Sequence, residues 1–187
     1  MKTVFLTSGP RGSGKSTWVS SLKKTNPKII VIDRDEFLKA KFGGTSFDKY
    51  SGIHEAAHYL LTEHIEKVVS SADDNARIIL DFWNGHESER ARHINMLRKI
   101  GVERVVCLYF VTPLSVCLKW FKNKPDVTAY SEENCIWDYK LFHKNAEDIK
   151  YPDYSQIENG YYDFPQFDLV CRVNPQQLML PGISIID

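Results

Sequence analysis

The stretch TVFLTSGPRGSGKSTW, residues 3 to 18, constrains this chain more than any other. The apolar run TVFLT leads into G-x-x-x-x-G-K-S, with Gly9, Gly14, Lys15 and Ser16 at the fixed positions and Gly12 between them. A strand that feeds a glycine loop, which in turn opens a helix, makes a phosphate cradle. Backbone N–H groups and the helix N-terminus converge there on phosphate oxygens. Such a loop belongs at the carboxyl end of a parallel strand, and a parallel strand needs neighbours and covering helices.

The rest of the 187 residues supplies them. KIIVID (28–33), RIILDF (77–82), RVVCLYFV (104–111) and FDLVCRV (167–173) are near-continuous runs of Val, Ile, Leu and Phe. Strands buried on both faces read this way. Helical spacing appears between the runs, over about 15–25, 35–42, 53–72, 87–100, 113–123 and 131–148. In the third of these, Ile53, Ala56, Ala57, Leu60, Leu61, Ile65, Val68 and Val69 are expected to form one apolar face. Thr112 before Pro113 reads as an N-cap with proline at the first helical position, and Ser131 before two glutamates opens the next helix similarly. The expected fold is an α/β three-layer sandwich: a five-stranded, mostly parallel sheet flanked by helices, as one domain over 1–187, with a lid near 119–130. No apolar run approaches the roughly 20 residues of a membrane helix. The four cysteines show no C-x-x-C pairing, which suits reduced thiols and a cytoplasmic setting.

Net charge is zero, but it is unevenly spread. Residues 1–50 carry ten Lys or Arg against four Asp or Glu, whereas residues 126–187 carry four against eleven. A basic phosphate-binding end suits a protein that handles anions at one edge.

HEAAHYLLTEH (54–64) competes with the glycine loop, because H-E-x-x-H is a zinc-protease pattern. His54 and His58 share a helical face, but His64 falls roughly 120° round from His58. The long zinc form needs a glycine where this chain has Leu61, inside an apolar stripe. The expectation is an uninterrupted helix with histidines beside its apolar side.

Within the loop, Gly9, Arg11, Gly12, Ser13, Gly14, Lys15, Ser16 and Thr17 are the expected nucleotide contacts. Lys15 reaches the β- and γ-phosphates of ATP and Ser16 ligates Mg²⁺. VIDRDEF (31–37) places Asp33 and Asp35 at the carboxyl edge of the second strand. A carboxylate there can accept the proton of an attacking hydroxyl, or it can cap the next helix. Asp81, which ends RIILD, is the acidic residue of the neighbouring strand and is expected to reach Mg²⁺ through water or to orient the acceptor.

GPRGSGKSTW, DRDEF and LDFWN…ER together resemble the polynucleotide 5′-hydroxyl kinases of the P-loop superfamily, especially their phage-type kinase domain. The resemblance covers roughly residues 1–125, and zeta-type toxins and chloramphenicol phosphotransferase are related. It implies Asp35 as general base, Lys15 and Ser16 on the nucleotide phosphates and Mg²⁺, Asp81 near the acceptor, and a nucleic acid as acceptor. Two departures stand out. The family's acceptor-binding arginine, three residues after the catalytic aspartate, is Leu38 here. Its arginine-bearing lid corresponds to LKWFKNKP (118–125), where Lys122 and Lys124 supply the charge, and no arginine lies between Arg104 and Arg172. Trp120 and Phe121 beside them either stack a base or pack the core. A kinase of a small molecule and a nucleotide-binding regulatory protein remain the alternatives.

Overall fold

Residues 1–45, 47, 50–123, 131–150 and 166–176 are described by the structure, a computed structural model. Its strands are β1 (Thr3–Ser8), β2 (Ile30–Asp33), β3 (Arg77–Asp81), β4 (Arg104–Phe110) and β5 (Leu169–Val173). They lie in the order β2-β3-β1-β4-β5, and every pairing is parallel. The sheet is thus wholly parallel where a mostly parallel one was expected. Val4, Leu6, Ile78, Leu80, Val105 and Cys107 are inaccessible, as strands covered on both faces require.

The helices are α1 (Lys15–Thr25), α2 (Arg34–Phe42), α3 (Gly52–Ser71), α4 (Glu87–Lys99), α5 (Leu114–Lys122), α6 (Glu132–Lys144) and α7 (Glu147–Lys150). Asp33 caps α2 by accepting from the amides of Asp35 at 2.8 Å and Glu36 at 3.0 Å. Ser131 caps α6 as expected, and the structure adds a reciprocal box with Asn134.

Three expectations need correction. The apolar face of α3 is narrower than the sequence stripe: Ala57, Leu61, Ile65 and Val69 are buried, but Ile53 and Leu60 are exposed. A single i, i+4 seam meets the sheet, and a step of about 100° per residue carries Leu60 off it. Thr112 does not cap α5. Pro113 is the N-cap, and the buried Thr112 hydroxyl donates to the Ser13 carbonyl at 2.8 Å. The helix expected over 131–148 breaks between α6 and α7. There the Asn145 carbonyl accepts from Arg90 Nη2 instead of continuing the helical ladder, and the Asn145 side-chain amide caps Leu141 O at 2.8 Å.

Arg90 is fully buried and also donates to Asn84 O at 2.7 Å and to both carboxylate oxygens of Asp148. Asp168, expected inside the last strand, precedes it. Its carboxylate takes both bonds from Arg98 Nη2 at 2.7 Å and one from the Val105 amide at 2.6 Å, which sets β5 against β4. No described helix is long and apolar enough to cross a membrane.

Candidate active site

The phosphate loop, residues 9–16, joins β1 to α1 at the carboxyl edge of the sheet. Gly12 and Gly14 take φ of 75° and 87°, the left-handed region that suits glycine. Their missing side chains also make room. A Cβ at Gly12 would stand 2.5 Å from the Cys117 carbonyl oxygen, and one at Gly14 would stand 2.7 Å from the Trp120 ring. Thus α5 lies directly against the loop. Phe121 is buried in the core, while Trp120 covers Gly14.

Further contacts hold the loop from behind. The Arg11 amide donates to Asp138 Oδ2 at 2.7 Å, and Cys135 Sγ lies 3.7 Å from the Arg11 carbonyl. Asp138, only 4% exposed, comes from the middle of α6, and Thr112 holds Ser13 as described. Burial pushes the Cys117 thiol up to about 12, with the neighbouring Cys135 acting in the same direction, so it packs as a neutral group.

Lys15 bends over its own loop and donates to Gly9 O at 2.8 Å, Pro10 O at 2.9 Å and Ser13 Oγ at 3.4 Å. Ser16 and Thr17 are exposed at the start of α1. The structure brings Ser16 near enough to Asp81 to favour its charged form, and Thr7 Oγ1 donates to Asp81 Oδ1 at 3.1 Å. Asp81 is 6% exposed. Burial raises its pKa above the ordinary carboxylate value, and Asp33 adds to that rise; the Ser16 hydroxyl, the charge of Lys15 and the bond from Thr7 oppose it. A serine hydroxyl and a carboxylate beside a phosphate loop offer the hard oxygen donors that Mg²⁺ prefers. These residues fit the ion.

Asp33 is the register partner of Asp81 across β2 and β3. It is committed to the α2 cap, so the capping role anticipated for one of the two aspartates falls to it. Asp35 stands in the first turn, largely exposed, and accepts from Arg34 Nη1 at 2.7 Å. Lys122 does not converge with these groups: it forms an ion pair with Glu132, at the approach of α5 to α6. Lys124 and the rest of the expected lid, 124–130, lie outside the described residues.

A cleft of about 300 Å³ opens between α2, α3 and α4. Sequence reasoning missed it. Arg34 and Leu38 enter it from α2, His54, His58 and Leu61 from α3, and Arg92 and His93 from α4. Arg11 of the phosphate loop also lines it, so the cleft is continuous with the nucleotide side. Leu38 is buried in its wall, while Arg34 and Arg92 bring the guanidinium charge from other positions. Trp83 lines it as well, its ring so close over Gly85 that a Cβ there would lie 1.9 Å from the indole. The three histidines of the H-E-x-x-H stretch divide. His54 and His58 meet edge-on in the cleft with ring centroids 4.6 Å apart, and His64 stacks on Phe37 at 4.8 Å. The helix runs unbroken through Leu61.

The comparisons with known proteins agree with this geometry. No curated protein matches the chain. Among solved structures, it is similar to a chain in "Structure of the Pnkp1/Rnl/Hen1 RNA repair complex", with a TM-score of 0.63 and 17% identity over 79% of this chain and 45% of that one. A second such complex, "Structure of Pnkp1/Rnl/Hen1 complex", gives 0.52 and 18% over 70% and 40%. The chain thus spans less than half the length of these two. A shikimate kinase from Acinetobacter baumannii in complex with shikimate gives 0.46 and 17% over 95% and 90%. Residues 4–134 match the sequence model of the AAA domain family AAA_33. The chain belongs to that family, and its fold is an α/β domain with a phosphate loop and a five-stranded parallel sheet flanked by helices.

Proposed function

We propose that this chain is an ATP-dependent kinase that transfers the γ-phosphate to a hydroxyl of a nucleic acid. The observation that carries the reading is the buried Asp81 beside the phosphate loop, with Ser16 and Lys15 acting on it, next to a cationic cleft. The fold likeness to a chain of an RNA repair complex supports a nucleic acid as acceptor.

In this reading the loop amides from Gly9 to Ser16 bind the phosphates of ATP, and Lys15 swings from its carbonyl partners onto the β- and γ-phosphates. Ser16 and Asp81 would hold Mg²⁺, which neutralises phosphate charge when bound. Asp35 accepts the proton of the acceptor hydroxyl. As its O–H bond breaks, the acceptor oxygen bonds to the γ-phosphorus, and the bond from phosphorus to the ADP oxygen breaks with ADP leaving. Arg34 holds Asp35 at the mouth of the cleft.

The test offers γ-labelled ATP and Mg²⁺ with 5′-hydroxyl oligonucleotides, and in parallel with nucleosides and sugars. Label appears on the oligonucleotide, and Asp35→Ala lowers the rate by about 10²–10⁴-fold, the usual contribution of a general base. Absence of transfer to every acceptor would overturn the kinase reading.

The size of the cleft favours a second reading, a small-molecule acceptor, because about 300 Å³ is at the lower end for ligand pockets. Salt separates the two. Transfer to a polynucleotide weakens steeply as salt rises, whereas transfer to a neutral small acceptor does not.

A further inference from the structure

Asp138 is a buried acid to which the chemistry above gives no task. It is 4% exposed, in the middle of α6, where a carboxylate is costly to place. Its Oδ2 accepts the Arg11 amide at 2.7 Å, a length typical of bonds to ionised groups. Simple electrostatics opposes this placement, because a buried negative charge behind a phosphate loop weakens the pull on phosphates. The same helix also meets the other side of Arg11. Cys135, one turn before Asp138, sets its Sγ 3.7 Å from the Arg11 carbonyl.

What this grip achieves lies in the peptide it holds. The Arg11 N–H and the Pro10 C=O belong to one planar trans unit and point in opposite directions. Turning the N–H back toward α6 therefore turns the Pro10 carbonyl forward. That carbonyl accepts from Lys15 Nζ at 2.9 Å and from the Ser13 amide at 3.2 Å, while Lys15 also donates to Gly9 O at 2.8 Å. The preceding unit, Gly9–Pro10, has no N–H by which it could be held in the same way. The Arg11 amide is thus the handle on this arm of the loop.

We infer that Asp138 is a positioning residue: through the Pro10–Arg11 peptide it aims a carbonyl at Lys15 and so keeps the ammonium over the loop, ready for a nucleotide's phosphates. The inference rests on the reading of the loop as the nucleotide site. A lysine left loose spreads over many rotamers, and binding must then gather it in. From its two carbonyl partners it has only to swing onto phosphate. Charge and positioning predict opposite results. If only the charge of Asp138 mattered, alanine and asparagine there would relieve the same repulsion and bind nucleotide equally, and tighter than the wild type. If positioning matters, alanine loses the acceptor and binds more weakly, whereas asparagine keeps a carbonyl oxygen and recovers.

The experiment titrates the whole chain with a non-hydrolysable ATP analogue and Mg²⁺ by calorimetry. Wild type, Asp138→Ala and Asp138→Asn are compared, each with Lys15 intact and with Lys15→Met. With Lys15 intact, Asp138→Ala should weaken binding about 10- to 100-fold, the range of a hydrogen bond to a charged group, and Asp138→Asn should restore most of it. With Lys15→Met, the same substitutions should change binding by less than about twofold. A second readout needs neither nucleotide nor the alanine variant. In NMR spectra of the free protein the Arg11 amide proton should lie far downfield and the Lys15 ammonium protons should exchange slowly with water. Asp138→Asn should move the first upfield and quicken the second; if Asp138→Ala does not fold, this readout decides alone. Equal losses in both Lys15 backgrounds, tighter binding by both variants, or Lys15 exchange unchanged by Asp138→Asn would overturn the inference. A protein that shows the Lys15-dependent loss yet phosphorylates no acceptor would lose the kinase reading and keep the role of Asp138. One that transfers phosphate with nucleotide affinity unmoved by Asp138→Ala would do the reverse.

Discussion

The two sides of the site are built in opposite ways. The phosphate loop is a contiguous run of backbone, braced from behind by α5 and α6 through Thr112, Cys117, Trp120 and Asp138. The cleft beside it is lined by side chains from three helices, the phosphate loop and the segments after α2 and β3. One side fixes geometry through glycine and the main chain; the other concentrates charge in a pocket. Phosphate chemistry needs both, because the nucleotide phosphates must be held rigidly while the acceptor must enter and leave.

That contrast can be broken first at glycine. Gly12→Ala forces a side chain into left-handed backbone and against the Cys117 carbonyl, so it should cost about 3 kcal/mol and abolish nucleotide binding. Gly43→Ala, at φ 73° in the αL cap of α2 with nothing within 4 Å, should cost only about 1 kcal/mol. Denaturant unfolding of both variants, with and without ATP, checks this. Equal losses would mean that the brace from α5 adds nothing.

Acid sharpens the comparison on the cleft side. His93 is held neutral in the fold, near 4, below the 6.5 of an exposed histidine. Between these values the unfolded chain binds the proton and the folded chain does not, so His93's contribution is fully present above about pH 6.5. It is lost as pH falls, by about 2.5 kcal/mol at pH 4.5. Stability measured from pH 7 to 4.5 should therefore fall more steeply for the wild type than for His93→Phe, and parallel curves would refute the assignment. A smaller effect than that of Gly12→Ala or of acid is expected at Thr112→Val. It strips the Ser13 carbonyl of a buried donor, at about 1–2 kcal/mol, and weakens ATP binding while leaving binding in the cleft unchanged.

Legibility in the sequence follows the same division. The strands, the glycine loop and the Ser131 cap are local: each is specified by a few adjacent residues, and the structure keeps them. The failures are tertiary. Leu60 and Leu61 are equally apolar in sequence, and only the angle at which α3 meets the sheet decides which is buried. Thr112 looks like a cap until the phosphate loop is folded beside it. Arg34 comes 49 residues before Trp83 and sits on a different element from Arg92, so no local pattern unites the three. Asp138 did leave a signal, an acidic residue inside the apolar helix stretch CIWDY, whose meaning depends on a partner at Arg11.

The two connections of α6, to the phosphate loop and to α4, have a consequence for how substrates sense each other. Midway along, Asp138 grips the Arg11 amide; at its close, the Asn145 carbonyl takes Arg90, on the helix that carries Arg92 and His93 into the cleft. On the kinase reading, this helix links the nucleotide side to the acceptor side. A nucleotide that tightens the loop pulls on α4 through it, and an acceptor that settles on α4 pulls back on the loop. Thermodynamic reciprocity makes those two pulls equal in free energy, so each substrate should change the other's affinity by the same factor.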